Sequence, residues 1–144
     1  MAMKHLSVFC ILLFINFIFM KPTHSARWVE VEVGEDSGDT YLWPYFYSAS
    51  RFVDVESIKK NNDGVTYAEL VNSKKAISSN VTSLIVIKKS TCDGEKVLWQ
   101  YFTIYKAEMG TGAPIMQLKP NETELLKKGS SGALSDRFAC NFKK

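Results

Sequence analysis

Three kinds of side chain in this 144-residue sequence could do chemistry: cysteines, carboxylates and a dense run of aromatics. The thiols are Cys10, Cys92 and Cys140, and the imidazoles that would activate a thiol or hold a metal are His5 and His24. Which of these work together depends on the first residues, "MAMKHLSVFCILLFINFIFMKPTHSA". A basic start at Lys4, an apolar run from Leu6 to Met20 and a polar stretch ending in small residues is the layout of a secretory signal peptide. A membrane-spanning helix needs about 20 apolar residues. This run is shorter, is interrupted by Asn16, and is followed by Lys21 and Pro22. The expectation is a signal peptide over 1–26, cut after Ser25 or Ala26, with no stable membrane span in a mature domain over 27–144.

Cleavage there would remove both histidines and Cys10. The mature domain then has no histidine for a general base, a catalytic triad or a zinc site. Cys92 and Cys140 remain, and two cysteines in an exported chain pair, because compartments beyond the cytoplasmic membrane are oxidising. A Cys92–Cys140 disulfide is therefore expected. Lys4 and Lys21 leave as well, so 16 of the 18 basic residues stay against 15 acidic ones, a net charge near +1. That balance speaks against a nucleic-acid partner, which is held by Lys and Arg gathered on one face. The pairs Lys59-Lys60, Lys74-Lys75, Lys88-Lys89 and Lys127-Lys128 are scattered, and read as solvated protection of strand ends.

The carboxylates offer "GEDSGD" (34–39), with Glu35, Asp36 and Asp39, and "VDVES" (53–57), with Asp54 and Glu56. A hydrolase built on two carboxylates needs them about 5–9.5 Å apart in a cleft that splits their pKa values. Strand alternation puts Asp54 and Glu56 on one side, which a solvated strand face explains equally well. "NNDG" (61–64) is no EF-hand loop, because Lys59 stands at the first ligand position and Leu70 at the last. "GTG" (110–112) is too short for a phosphate loop and reads as a tight turn or bulge. No cofactor and no metal is expected. The aromatics "YLWPYFY" (41–47) carry two readings. As an edge strand bent at Pro44, the run packs alternate rings into the core. Alternatively Tyr41, Trp43, Tyr45 and Tyr47 form an exposed patch that binds a partner, since Tyr and Trp offer large rigid area with a polar tip.

The elements that must position these groups are mostly strands. "WVEVEV" (28–33) alternates, with Val29, Val31 and Val33 on one side. "RFVDVESI" (51–58) and "VTYAELVN" (65–72) flank "NNDG", a hairpin signal. "SLIVIKK" (83–89) and "KVLWQYFTIY" (96–105) flank "STCDGE" and are apolar on two faces, which places them centrally in an antiparallel sheet. "SSGALSDRFACNF" (130–142) reads as a serine-capped helix with Leu134, Phe138 and Cys140 near one side. The fold class is α+β: a twisted antiparallel sheet with a C-terminal helix tied on by one disulfide. No linker, repeat or low-complexity tract follows residue 27, so one domain is expected.

From Trp28 to Cys140 the sequence resembles the surface-adhesin protein E family of small exported bacterial domains. The resemblance rests on "RWVEV", the hairpin "VDVESIKKNNDGVTYAELVNSKK" (53–75), the cysteine after the strand that follows it, "YFTIY" (101–105), "GTG" and "FAC" (138–140). It implies an antiparallel sheet with a helix, the same disulfide, no catalytic residues, and acceptor triplets "NVT" (80–82) and "NET" (121–123) that stay unmodified in a bacterial protein. The functional expectation is an exported, non-enzymatic module of the bacterial envelope that binds another protein, from the envelope or a host, near residues 41–47. A carboxylate-based hydrolase of an envelope polymer and a carrier of small apolar ligands are the alternatives. Oligomeric state is not legible in the sequence.

Overall fold

The computed structural model describes residues 25–31, 49–73 and 80–144. Tyr41, Trp43, Tyr45 and Tyr47 lie outside the described residues, as do Val33 and the acidic run 34–39. The strands are β1 (Trp28–Val31), β2 (Ser50–Asn61), β3 (Gly64–Asn72), β4 (Ser83–Ser90), β5 (Lys96–Tyr105), β6 (Pro114–Leu118) and β7 (Glu122–Leu125). A 3-10 turn at Glu108–Gly110 precedes β6, and helix α1 spans Ser131–Asn141. All strand pairs are antiparallel. The order is β1-β2-β3-β4-β5-β6, and β7 also pairs with β5. β6 takes the end of β5 from Phe102 to Tyr105 and β7 the end from Lys96 to Trp99, so two short strands share one edge of β5.

The expected α+β fold, with central β4 and the helix at the C-terminus, is what the chain adopts. The tight turn between β2 and β3 follows from local chemistry. Asn61 Oδ1 accepts from the Asp63 amide at 2.9 Å, and Gly64 sits at φ +128. An added Cβ at Gly64 would overlap the carbonyl oxygen of Ser90 in β4. Gly64→Ala is expected to cost at least about 1–3 kcal/mol through backbone strain alone, and a thermal melt checks it.

One row of the ladder runs Val53, Glu69, Val86, Phe102, and its neighbours on the same face are Tyr67, Lys88 and Trp99. This face carries α1. Val31, Val53, Val55, Ile58, Val65 and Tyr67 pack with Ala139 of the helix, and Phe138, Cys140 and Phe142 close the margin. Val71, Leu84, Val86, Val97, Trp99 and Phe102 form a second apolar cluster with Ala49. Burying each such aliphatic side chain contributes about 1.5–3 kcal/mol.

Helix α1 starts where Ser130 accepts a hydrogen bond from the Ala133 amide, the expected serine cap. Its first turn lies close on β7, since a Cβ on Gly132 would meet Glu124 Oε1 at 2.5 Å. The end of the helix is tied by the expected disulfide: Cys92, in the β4–β5 turn, bonds Cys140 with Cα atoms 5.8 Å apart.

Two expectations fail. Asp54 is not on a solvated strand face: it is 8% exposed, and its Oδ1 accepts from the amides of Arg27 and Glu56 at 2.8 and 3.1 Å. The cause is the entry into β1, which lies alongside: Trp28 pairs with Asp54 and the Arg27 amide closes on its carboxylate. Glu56 pairs with Arg27 at 3.2 Å. The second failure concerns Lys88. It is wholly buried rather than a solvated strand end.

Candidate partner-binding surface

β6 and β7 are built from "PIMQL" and "ETEL", a stretch that sequence patterning did not mark as strands. The reason is visible in their burial. Every residue of β6 is exposed, so no apolar–polar alternation records a buried face. Ile115, Met116 and Leu118 are 43%, 47% and 45% exposed, and Tyr101 on β5 and Leu125 on β7 join them at the surface. Lys119 holds its ammonium 4.6 Å from the centre of the Tyr101 ring, a cation–π contact worth about 0.5–1 kcal/mol at an exposed site.

The outer edge of β6 is unpaired among the described residues. Such an edge presents a row of free N–H and C=O groups, and proteins usually guard it with charge, a bulge or proline. β6 carries two of these guards at its start, Pro114 at its first position and a bulge at Ile115, which lies unpaired between Pro114↔Tyr105 and Met116↔Ile104; Met116 to Leu118 carry no charge. Exposed apolar side chains along an edge without charge are the mark of a contact surface.

What holds β7 in place, at the other end of β5, lies beneath that strand. Glu124 of β7 reaches inward, where its Oε2 accepts from Trp99 Nε1 at 2.7 Å and from Lys88 Nζ at 2.9 Å. Lys88 also meets Glu69 Oε2 at 2.7 Å, and Arg51 meets the same oxygen at 3.2 Å. The chain of charges thus crosses four strands, from β2 through β3 and β4 to β7, and it balances: two cations against two carboxylates. Burial acts against the charged form of Glu69, but Lys88 and then Arg51 outweigh it and hold its carboxyl at about 2, below the ordinary 4.5. Burial likewise acts against Lys88, yet Glu124 and Glu69 raise its ammonium above the usual value. Beside this chain Tyr67 donates to Asp136 at 3.5 Å. Burial raises the Tyr67 hydroxyl well above its usual value, and it raises Asp136 too.

Both inward charges were in phase with the core. Lys88 alternates with Leu84 and Val86, and Glu69 with Val65, Tyr67 and Val71, so period-2 reading applied strictly would have turned both inward. The paired carboxylates proposed for hydrolysis are not brought into a cleft: Asp54 is held in backbone hydrogen bonds and Glu56 in its ion pair. Among the described residues no three His, Cys, Asp or Glu side chains gather to hold a metal. No described helix is long and apolar enough to cross a membrane.

A helix-backed antiparallel sheet closed by Cys92–Cys140 is the architecture the sequence resemblance implied. Residues 46–141 match the family of surface-adhesin protein E. The chain belongs to that family. The match spans β2 to the end of α1, so the disulfide, the buried charges and the β6 edge all lie within the shared region, whereas β1 lies before it. No curated protein matches the chain. Membership in this family makes the protein surface-adhesin-like.

Proposed function

We propose that the protein is exported by a signal peptide over 1–26 and that its 27–144 domain works, without catalysis, as a protein-binding module of the bacterial envelope or surface. The observation that carries this reading is the β6 edge, with uncharged apolar side chains exposed beside unpaired backbone. A partner strand or loop laid along it would bury Ile115, Met116 and Leu118 and gain main-chain hydrogen bonds, the mode of strand addition. Membership in the adhesin family supports a protein, from the envelope or a host surface, as that partner. The disulfide fits an oxidising compartment.

The test is affinity capture from envelope and extracellular fractions with the oxidised mature domain, beside the double variant Met116→Lys/Leu118→Lys. Both side chains are exposed, so the melting temperature is expected to hold. A captured protein is expected to bind the variant at least tenfold more weakly, about 1.4 kcal/mol. Equal capture by the variant would move the site off β6, and capture of nothing by either protein would end the binding-module reading.

A further inference from the structure

At the opposite edge of the sheet, β1 and α1 enclose an open groove of about 620 Å³, within the roughly 300–1,000 Å³ of ligand sites. Its floor is apolar, made by Val31 of β1 and by Leu134, Phe138 and Phe142 along the helix. Its helix-side rim is cationic: Arg137 and Lys143 are both exposed, and neither is engaged by another described residue. Asn141 adds an amide. Glu30 brings the one carboxylate to the lining, and alternation along β1 puts its side chain on the face opposite Val31. Among the described residues nothing pairs with the outer edge of β1.

We propose that this groove binds an extended acidic peptide segment, added as a strand to β1. Main-chain bonds to the edge would give affinity, and alternate side chains would give specificity. One set of apolar side chains would lie on Val31, Leu134, Phe138 and Phe142, and an acidic side chain would reach Arg137 and Lys143. Guanidinium and carboxylate match in a two-pronged pair, which favours a carboxylate over a neutral group at Arg137. The four residues of β1 span about 13 Å at about 3.3 Å each, room for a short segment and one or two acidic contacts. An open trough beside a free strand edge suits an extended chain better than a compact ligand, which needs enclosure.

The experiment is fluorescence anisotropy on the full mature domain with three probes: a labelled hexapeptide alternating valine and aspartate, its counterpart with lysine for aspartate, and dodecanoate as competitor. The acidic peptide is expected to bind at least tenfold more tightly than the lysine peptide. Arg137→Glu/Lys143→Glu should remove that preference, and N-methylation of the peptide's alternate amides should abolish binding. Salt should weaken the binding. The variant Met116→Lys/Leu118→Lys should bind the acidic peptide as the unaltered domain does, which separates this site from the β6 edge. Equal binding of both peptides, indifference to charge reversal or to N-methylation, or loss through the β6 variant would each overturn the proposal. So would displacement of the acidic peptide by dodecanoate, which would make the groove an amphiphile site, and so would a failure of the acidic peptide to bind.

Discussion

Replacing Cys92 and Cys140 together by serine is expected to lower the stability of the domain by about 4 kcal/mol, read from urea unfolding as a lower midpoint with a slope that rises as the unfolded chain is freed to expand. The separation of 48 residues sets that size. In the loop-entropy picture the bond removes chain freedom from the unfolded state, and the effect grows slowly with loop length. A domain of this size has only about 5–15 kcal/mol to lose. The site of the loss is also specific. The bond ties the β4–β5 turn to α1, whose Ala139 and Phe138 cover β2 and β3. Reduction of the unaltered protein should reproduce the effect of the double variant, and amide exchange in α1 should quicken before exchange in β3 and β4. A midpoint unchanged by reduction would show that helix packing alone carries the end of the chain.

Lys88→Met is expected to cost about 3–5 kcal/mol, because it strands two carboxylates that are held by one buried ammonium. Glu69 would keep Arg51, at 3.2 Å, and Glu124 the Trp99 indole, but both would lose the ammonium. Methionine fills most of the volume, so the loss reads charge rather than cavity. The double variant Glu69→Gln/Lys88→Met should cost less than the two single changes combined, since the partners are coupled. The pH profile gives the same chain of charges a second reading. Glu69 has a folded value of about 2, below the ordinary 4.5. A carboxyl depressed by folding contributes stability that is full above its unfolded value and is lost as pH falls through its folded one. Stability of the unaltered protein should therefore decline as pH drops from about 4.5 towards about 2, by on the order of 3 kcal/mol from this group. In Lys88→Met the decline should be smaller, because Glu69 has lost the partner that made its ionised form favourable. Matching acid profiles in the two proteins would mean that Lys88 does not set the charge of Glu69.

The two edges of the sheet explain why the candidate sites were hard to read in the sequence. The groove at β1 gathers residues from Glu30 to Lys143, and nothing in the sequence brings a strand near the start beside a helix at the end. Leu134 and Phe138, marked as one side of the helix, do lie together there, but the cations between and beyond them gain meaning only once β1 is alongside. The β6 edge was invisible for a different reason. Strands are recognised by the face they bury, and "PIMQL" buries none. The run 41–47, singled out for its rings, lies outside the described residues, so its two readings stand as they were.

By itself the sequence determined what local chemistry dictates. Asn61 and Gly64 made the β2–β3 turn, Ser130 capped the helix, apolar runs at 83–89 and 96–105 made neighbouring strands, and two cysteines without a histidine made a disulfide. Each of these rests on a few adjacent residues or on composition. Strand alternation already put Glu69 and Lys88 in phase with the core, but tertiary structure alone decided what stood opposite each charge. Lys88 lies wholly buried because β3 brings Glu69 to one side of it and β7 brings Glu124 to the other. A buried charge is tolerable only when partners replace water, and those partners come from strands whose pairing no local pattern encodes.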